Sequence, residues 1–318
     1  MSDYEKIMLR CLQLARLGEY YVAPNPMVGA VLVMPNGSII GEGWHQEFGK
    51  AHAEVNAFAA ADRCIAKRGW DAEQTYRDAC LFVSLEPCSH YGKTPPCADL
   101  IIRKGVKKVV VGCTDPHKKV AGQGISRLQA AGIETVVGVL EQECLELNKR
   151  FICLHEKGRP YVTLKWAQTA DGFIDYKRTE GKPLVISTPI SKMEVHKMRA
   201  QNMSIMVGTN TVLLDNPRLL TTRWSGRNPI RITLDRHQRI PAEANIFSLD
   251  NPTIVYRENT EWQYILKDLA SRNIHSVLVE GGRLLLENIL RTGIYDEIHI
   301  ETNDRLTIGD GIPAPQIP

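Results

Sequence analysis

A chain of 318 residues is long enough for two domains with separate cores, and a composition 43% hydrophobic and 24% charged is that of an ordinary globular protein. The formal net charge of +3 is too small to imply a nucleic-acid partner, and no apolar run approaches the length of a membrane span, so neither nucleic acid nor membrane is an expected partner. The eight cysteines, at positions 11, 64, 80, 88, 97, 113, 144 and 153, all lie in the first half of the chain, a pattern consistent with two joined modules. With a charged start over residues 1–6, unlike a secretory leader, they predict reduced thiols in the cytoplasm.

In chain order, Ile7, Met8, Cys11, Leu14 and Ala15 recur at helical spacing after a Ser2/Asp3 cap. Strands are expected over 28–34 and 38–43, joined through Pro35-Asn36-Gly37, since Asn-Gly is a strong hairpin signal. An alanine-rich helix over 51–66, a buried strand over 79–85 and a helix over 98–104 opened by Pro95-Pro96 follow. A strand at 107–112, a helix at 124–131, a strand at 134–139 and a helix at 141–155 complete an alternation that predicts a three-layer α/β sandwich.

Lys157-Gly158-Arg159-Pro160 breaks the pattern. Beyond it, strands are expected over 161–167, 204–208, 230–234, 253–256, 276–280 and 297–301. Helices are expected over 189–199, with Thr188 as cap and Pro189 in the first helical position, and over 261–271 and 283–291. The predicted organisation is a first domain over 1–147, a linker over 148–160 and a second domain over 161–318.

The chemistry concentrates in His52-Ala53-Glu54 and in Pro87-Cys88-Ser89-His90-Tyr91-Gly92-Lys93-Thr94-Pro95-Pro96-Cys97. One imidazole (His52) and two thiolates (Cys88, Cys97) suit Zn²⁺ and leave a fourth tetrahedral position open, which describes a catalytic rather than a structural site. His52 and Cys97 both fall at expected helix starts, where exposed N–H groups favour thiolate over thiol. Glu54 stands where a carboxylate can move protons for a water that the metal activates. His-x-Glu followed by Pro-Cys-x-x-Cys marks zinc deaminases of nucleobases. Here the two-residue gap between the cysteines is replaced by eight residues.

These motifs, with Pro24-Asn25-Pro26-Met27-Val28-Gly29 and Asp115-Pro116…Val120-Ala121-Gly122-Gln123-Gly124, resemble the bifunctional riboflavin-biosynthesis deaminase/reductase family, down to about residue 300. The resemblance implies a cytidine-deaminase-like first domain acting on a 2,5-diamino-6-ribosylaminopyrimidinone 5′-phosphate. The matching substrate-binding positions are Asn25, His45, Lys93 and Asp115, with Lys93 inside the insertion and suited to the phosphate. Gly122-Gln123-Gly124 reads as a turn near the pocket, because Arg127 stands where a dinucleotide loop would carry its third Gly.

No Gly-x-Gly-x-x-Gly occurs in the second half, so a Rossmann domain is not supported. The resemblance instead implies a dihydrofolate-reductase-like α/β domain binding NADPH, on the strength of Leu164-Lys165-Trp166-Ala167, Ile186-Ser187-Thr188-Pro189, Val207-Gly208-Thr209-Asn210-Thr211 with Asp215, and Val279-Glu280-Gly281-Gly282. Gly281-Gly282, between a strand and a helix, frees backbone N–H groups for a pyrophosphate. Cofactor contacts are expected from Ala167, Thr211, Asp215, Gly281 and Gly282, with Thr211 and Asp215 on a loop. Arg199, Leu219 and Arg223 are expected to meet the substrate. Lys165, Asp215 and Glu280 share the roles of polarising and protonating the sugar during hydride transfer to its anomeric carbon. The expected assembly is a homo-oligomer.

After residue 301 the sequence departs from the family, running through Asn303-Asp304-Arg305 and Gly309-Asp310-Gly311 in place of an Ala-Pro…Gly segment and a final strand. The second domain is therefore read as shortened, and the alternative reading is a deaminase with an inactive or weakened reductase half. A tRNA or nucleotide deaminase is a further alternative that the long cysteine gap and modest charge disfavour, and a structural zinc module would need His90 as fourth ligand, a residue poorly placed for it.

Overall fold

Two units, Met1–Lys157 and Gly158–Pro318, divide the chain in a computed structural model that describes residues 1–90, 95–116, 121–248 and 251–317. The first unit runs α1 (Asp3–Arg16), β1 (Gly29–Val33), β2 (Ile39–Trp44), α2 (Ala53–Arg68), α3 (Ala72–Asp78), β3 (Cys80–Leu85), α4 (Cys97–Lys104), β4 (Lys108–Cys113), α5 (Gln123–Ala130), β5 (Glu134–Val137), α6 (Glu141–Leu147) and α7 (Lys149–Lys157). Its sheet has the order β2-β1-β3-β4-β5, antiparallel across β2, β1 and β3 and parallel from β3 to β5. The Asn-Gly turn forms as expected: Asn36 Oδ1 accepts from Ser38 N at 3.0 Å, and Gly37 takes φ 84°.

Both faces of this sheet are covered, giving the expected three layers. Met8, Cys11 and Leu12 of α1 and Cys144 of α6 pack with Val31, Phe82 and Val110. On the other face Ala53, Ala57 and Ala61 of α2, Ala98 and Ile101 of α4 and Leu128 of α5 pack with Leu32, Leu81, Val83 and Val109. The alanines of α2 meet a glycine-bearing strand. A Cβ at Gly41 would lie 2.3 Å from Ala57 O, and one at Gly43 would lie 2.3 Å from Ala57 N. Helix α2 therefore lies with its backbone against β2, which fixes where its first turn falls.

Two departures from the sequence reading concern local chemistry. Asp71 caps the unanticipated α3, accepting from Gln74 N at 2.7 Å. The single helix expected over 141–155 is two helices broken at Asn148, and α7 occupies most of the stretch read as linker. The buried Asn148 amide accepts from Met27 N at 2.8 Å and donates to Met27 O at 2.9 Å.

The second unit runs β6 (Tyr161–Thr169), β7 (Phe173–Asp175), α8 (Pro189–Gln201), β8 (Ser204–Val207), α9 (Thr209–Asp215), β9 (Ile230–Leu234), β10 (Thr253–Tyr256), α10 (Trp262–Ser271), β11 (Ser276–Glu280), α11 (Arg283–Thr292), β12 (Glu297–Asn303) and β13 (Ile312–Pro313). Its main sheet has the order β10-β9-β8-β11-β6-β12 with every pairing parallel. Met206, Val277 and Val279 face the apolar sides of α10 and α11, whereas Ile205 and Val207 face Val212 of α9 and Leu219. Buried on both faces, these strands read as continuous apolar runs.

Residues beyond β12 do not extend this sheet. Ala170 N donates to Leu306 O, Asp171 accepts from Ile308 N and Gly309 N, and β13 pairs antiparallel with β7. No helix among the described residues is long and apolar enough to cross a membrane.

Candidate functional site

In the first unit, three elements bring the metal-type residues together. His52 is the N-cap of α2, Cys97 opens α4 after Pro96, and Cys88 follows β3. His52 Nδ1 lies 3.6 Å from Cys88 Sγ and 3.4 Å from Cys97 Sγ, and the three ligand atoms fall within 4.8 Å of one another. A tetrahedral Zn²⁺ with bonds of about 2.05 Å to nitrogen and 2.3 Å to sulfur places such atoms roughly 3.6 Å apart, so the set fits the ion. The Cys97 thiol and its helix-start N–H, at 3.2 Å, both donate to Cys88 Sγ, and with His52 they hold the Cys88 thiol well below its ordinary value. That anionic sulfur, together with burial, holds the Cys97 proton in place until a cation displaces it.

Glu54, in the first turn of α2, is 3% exposed beside these sulfurs. Burial, reinforced by the Cys88 charge, pushes its carboxyl up to about 6. A carboxyl tuned towards neutrality is poised to both take and give a proton.

Two of the expected substrate residues join this cluster. The His45 ring lies edge-on to His52 with centroids 5.5 Å apart. Its Nδ1 is 3.0 Å from Ala51 O, which can only accept, so Nδ1 carries the proton. Burial holds the imidazole below its ordinary value, and the neutral ring accepts from Asn25 Nδ2 at Nε2, 3.0 Å away. Asn148, through its grip on Met27, fixes the segment that presents Asn25. Lys93 lies outside the described residues.

Asp115 is held by a residue to which the sequence reading gave no role. Glu86 Oε2 accepts from Asp115 N at 3.0 Å and Gly122 N at 2.9 Å, and its Oε1 accepts from Gly124 N at 2.8 Å and Ile125 N at 3.3 Å. The N-terminus of α5, an anion site by construction, is thus filled by the protein's own carboxylate. The Gly122-Gln123-Gly124 turn accordingly has no open N–H cradle for a cofactor. A glutamate at the end of an otherwise buried strand was the available signal.

In the second unit, Glu280 and Lys165 are neighbours in register on β11 and β6, with Ala167 two residues on along the same face. Arg199, expected to meet substrate, grips both Glu280 oxygens, at 2.9 and 2.7 Å, and donates to Leu220 O at 3.1 Å. One turn earlier on α8, His196 accepts from Thr222 N at 3.0 Å, a contact the sequence did not disclose. Burial, then the nearby Arg199 charge, holds His196 below its ordinary value. The exposed Arg223 adds to this effect, and the Leu219 side chain is buried in the core cluster with Ile205 and Val212.

Thr211 lies on the short helix α9 rather than on a loop, against the Gly281-Gly282 turn. These glycines take φ 80° and 85°, and a Cβ at Gly282 would lie 3.4 Å from Thr211 Oγ1. The pair thus keeps bare backbone at the start of the ten-residue α11, as a pyrophosphate requires. Asp215, also on α9, is not brought to Lys165 and Glu280. Its carboxylate is taken by Arg178, which also binds Asp175 of β7 at 2.7 Å.

Comparison with known proteins agrees with this division. Residues 1–113 match the cytidine and deoxycytidylate deaminase zinc-binding region, and residues 160–306 match the RibD C-terminal domain. The chain is 37% identical over 334 residues to riboflavin biosynthesis protein RibD of Aquifex aeolicus, covering 98% of this chain and 88% of that one. It is 34% identical to the Escherichia coli RibD, covering 98% and 90%. A crystal structure of a diaminohydroxyphosphoribosylaminopyrimidine deaminase/5-amino-6-(5-phosphoribosylamino)uracil reductase from Thermotoga maritima superposes with a TM-score of 0.87 at 38% identity, over 98% of this chain and 89% of that one. Acinetobacter baumannii RibD gives 0.89 at 33% identity, with the same coverage. The chain therefore belongs to the RibD family of riboflavin biosynthesis proteins, with both the zinc-binding deaminase region and the reductase domain present.

Proposed function

We propose that this chain performs two successive steps of riboflavin synthesis. Its first domain, over 1–147, hydrolytically deaminates 2,5-diamino-6-ribosylamino-4(3H)-pyrimidinone 5′-phosphate. Its second, over 161–318, uses NADPH to reduce the ribosyl group to ribityl. The observation that carries the reading is the convergence of His52, Cys88 and Cys97 beside the buried carboxyl of Glu54.

One Zn²⁺ held by those three residues would supply Lewis-acid activation of water near neutral pH. Glu54 takes the proton that water loses as it attacks the amino-bearing carbon, and returns a proton to the amine that leaves as ammonia. Asn25, with one amide hydrogen committed to His45, keeps its Oδ1 and second N–H for the pyrimidine edge. Lys93 meets the phosphate, and Asp115 faces the substrate from a backbone anchored by Glu86.

In the second domain Gly281, Gly282, Thr211 and the first N–H groups of α11 hold NADPH, with Ala167 on the adjoining sheet face. Bound there, NADPH would supply a hydride to C1′ of the ribosyl group; the C1′–ring-oxygen bond would break and that oxygen would take a proton to become the 4′-hydroxyl. Lys165 and Glu280 serve that proton transfer. Arg199 acts chiefly by holding Glu280 ionised, and Arg223 binds the substrate phosphate. Supplying the phosphorylated diaminopyrimidine tests both halves. Ammonia without cofactor, followed by NADPH oxidation, is the expected result; ammonia with no NADPH consumed would leave only the deaminase.

A further inference from the structure

Lys165 stands between two carboxylates, and one of them is already committed. Both oxygens of Glu280 are taken by Arg199, at 2.9 and 2.7 Å. On the opposite neighbour of β6, Glu301 of β12 pairs in register with Ala167, which puts it on the same face of the sheet as Lys165. Its Oε2 lies 3.8 Å from Lys165 Nζ, with the two side chains only 21% and 12% exposed.

Glu301 is itself fixed. Ser187 Oγ donates to the same Oε2 at 2.6 Å, and Asn303 Nδ2, two residues along β12, donates to Ile186 O at 2.8 Å. The strap leading into α8 is thereby tied to the edge strand at two points, at Glu301 itself and two residues beyond it. A lysine carries its charge on a flexible four-carbon stem, and its placement has to come from its surroundings.

We infer that Glu301 is a positioning residue for the reduction: clamped by Ser187, it holds the Lys165 ammonium beside Glu280, where the sugar's ring oxygen must be protonated. This rests on the assignment of Lys165 to that step. A misplaced acid group costs rate far more than affinity, because the group acts only when aligned with the reacting atom.

The test uses the full chain, with deaminated substrate and NADPH for reduction, and ammonia release in the same preparations as an internal measure of folding. Glu301→Gln keeps an acceptor for Ser187 and removes the charge. It is expected to lower kcat of reduction about tenfold with KM for NADPH and ammonia release unchanged, while Glu301→Asp recovers part of the loss. Ser187→Ala, which keeps the charge and frees the clamp, is expected to lose kcat severalfold. On a Lys165→Ala background, Glu301→Gln is expected to cost nothing further. Wild-type kcat in Glu301→Gln, or an undiminished loss when Lys165 is already absent, would overturn the positioning role. If Lys165→Ala itself reduces substrate at the wild-type rate, the assignment of Lys165 fails first, and the role of Glu301 with it.

Discussion

Arg199 closes on Glu280 with two parallel hydrogen bonds, Nε to Oε1 at 2.9 Å and Nη2 to Oε2 at 2.7 Å. The sequence alone offered these residues as a substrate ligand and an acid. Their pairing makes the arginine the group that keeps a buried carboxylate charged. Burial by itself raises the Glu280 pKa, but Arg199 foremost, and then Lys165, more than offset it, so the group titrates below its ordinary 4.5. A depressed folded-state pKa contributes stability that is fully present above the unfolded value and lost as pH falls through the folded one. Arg199→Ala is therefore expected to destabilise the second unit by about 3 kcal/mol at pH 7, at the low end for a broken buried pair because some exposure remains. In urea unfolding the deficit narrows as pH falls through the carboxylate range; a deficit that stays constant to below pH 3 would count against this account.

Glu86 predicts a different kind of loss. Glu86→Gln replaces one oxygen with an NH₂, which must face two backbone N–H groups that each need an acceptor. Leaving such buried donors unsatisfied costs about 1–3 kcal/mol apiece. The expected result is a lowered unfolding midpoint for the first unit and a raised KM for deamination, as the Asp115 backbone loses its anchor. Reduction of deaminated substrate serves as the unaffected control, and an unchanged midpoint would refute the anchoring role.

Asn148 joins the end of the first unit to the segment that carries Asn25. Asn148→Ala removes both hydrogen bonds to Met27, at 2.8 and 2.9 Å, for an expected loss of about 2 kcal/mol. Because Met27 lies two residues from Asn25, the loss should appear in the KM for deamination more than in kcat. Wild-type KM in a destabilised variant would separate the structural contact from substrate binding.

The sequence disclosed what is written locally. The Asn36-Gly37 hairpin, the alternation of strands and helices, and the ligand types at 52, 88 and 97 all follow from short-range pattern. What escaped it was written across distance. Glu86 stood in plain view beside Pro87, but its four partners come from a segment some thirty residues away, and the strand pattern marks only that a charge is buried. Arg199 and Glu280 read as a substrate ligand and an acid with no link between them, because their meeting is a tertiary contact between α8 and the end of β11. The break at Asn148 was masked by continuous helical periodicity. Only tertiary contact with Met27 shows why an asparagine interrupts it.

Metal removal separates the two units. Chelation is expected to lower the melting temperature of the first unit and abolish ammonia release, because His52, Cys88 and Cys97 lose the ion that joins three elements. NADPH oxidation with deaminated substrate continues, and added Zn²⁺ restores deamination. Loss of both activities on chelation would contradict the assignment of the metal to one domain.

The central claim, that a buried carboxyl beside three metal ligands moves the protons of a deamination, is tested most directly by Glu54→Gln in the full chain. Metal analysis, ammonia release and NADPH oxidation are measured on the same preparation. The account predicts wild-type metal content, ammonia release lowered by about 10²-fold or more, and undiminished reduction of deaminated substrate. Near-normal ammonia release with the metal retained would contradict it.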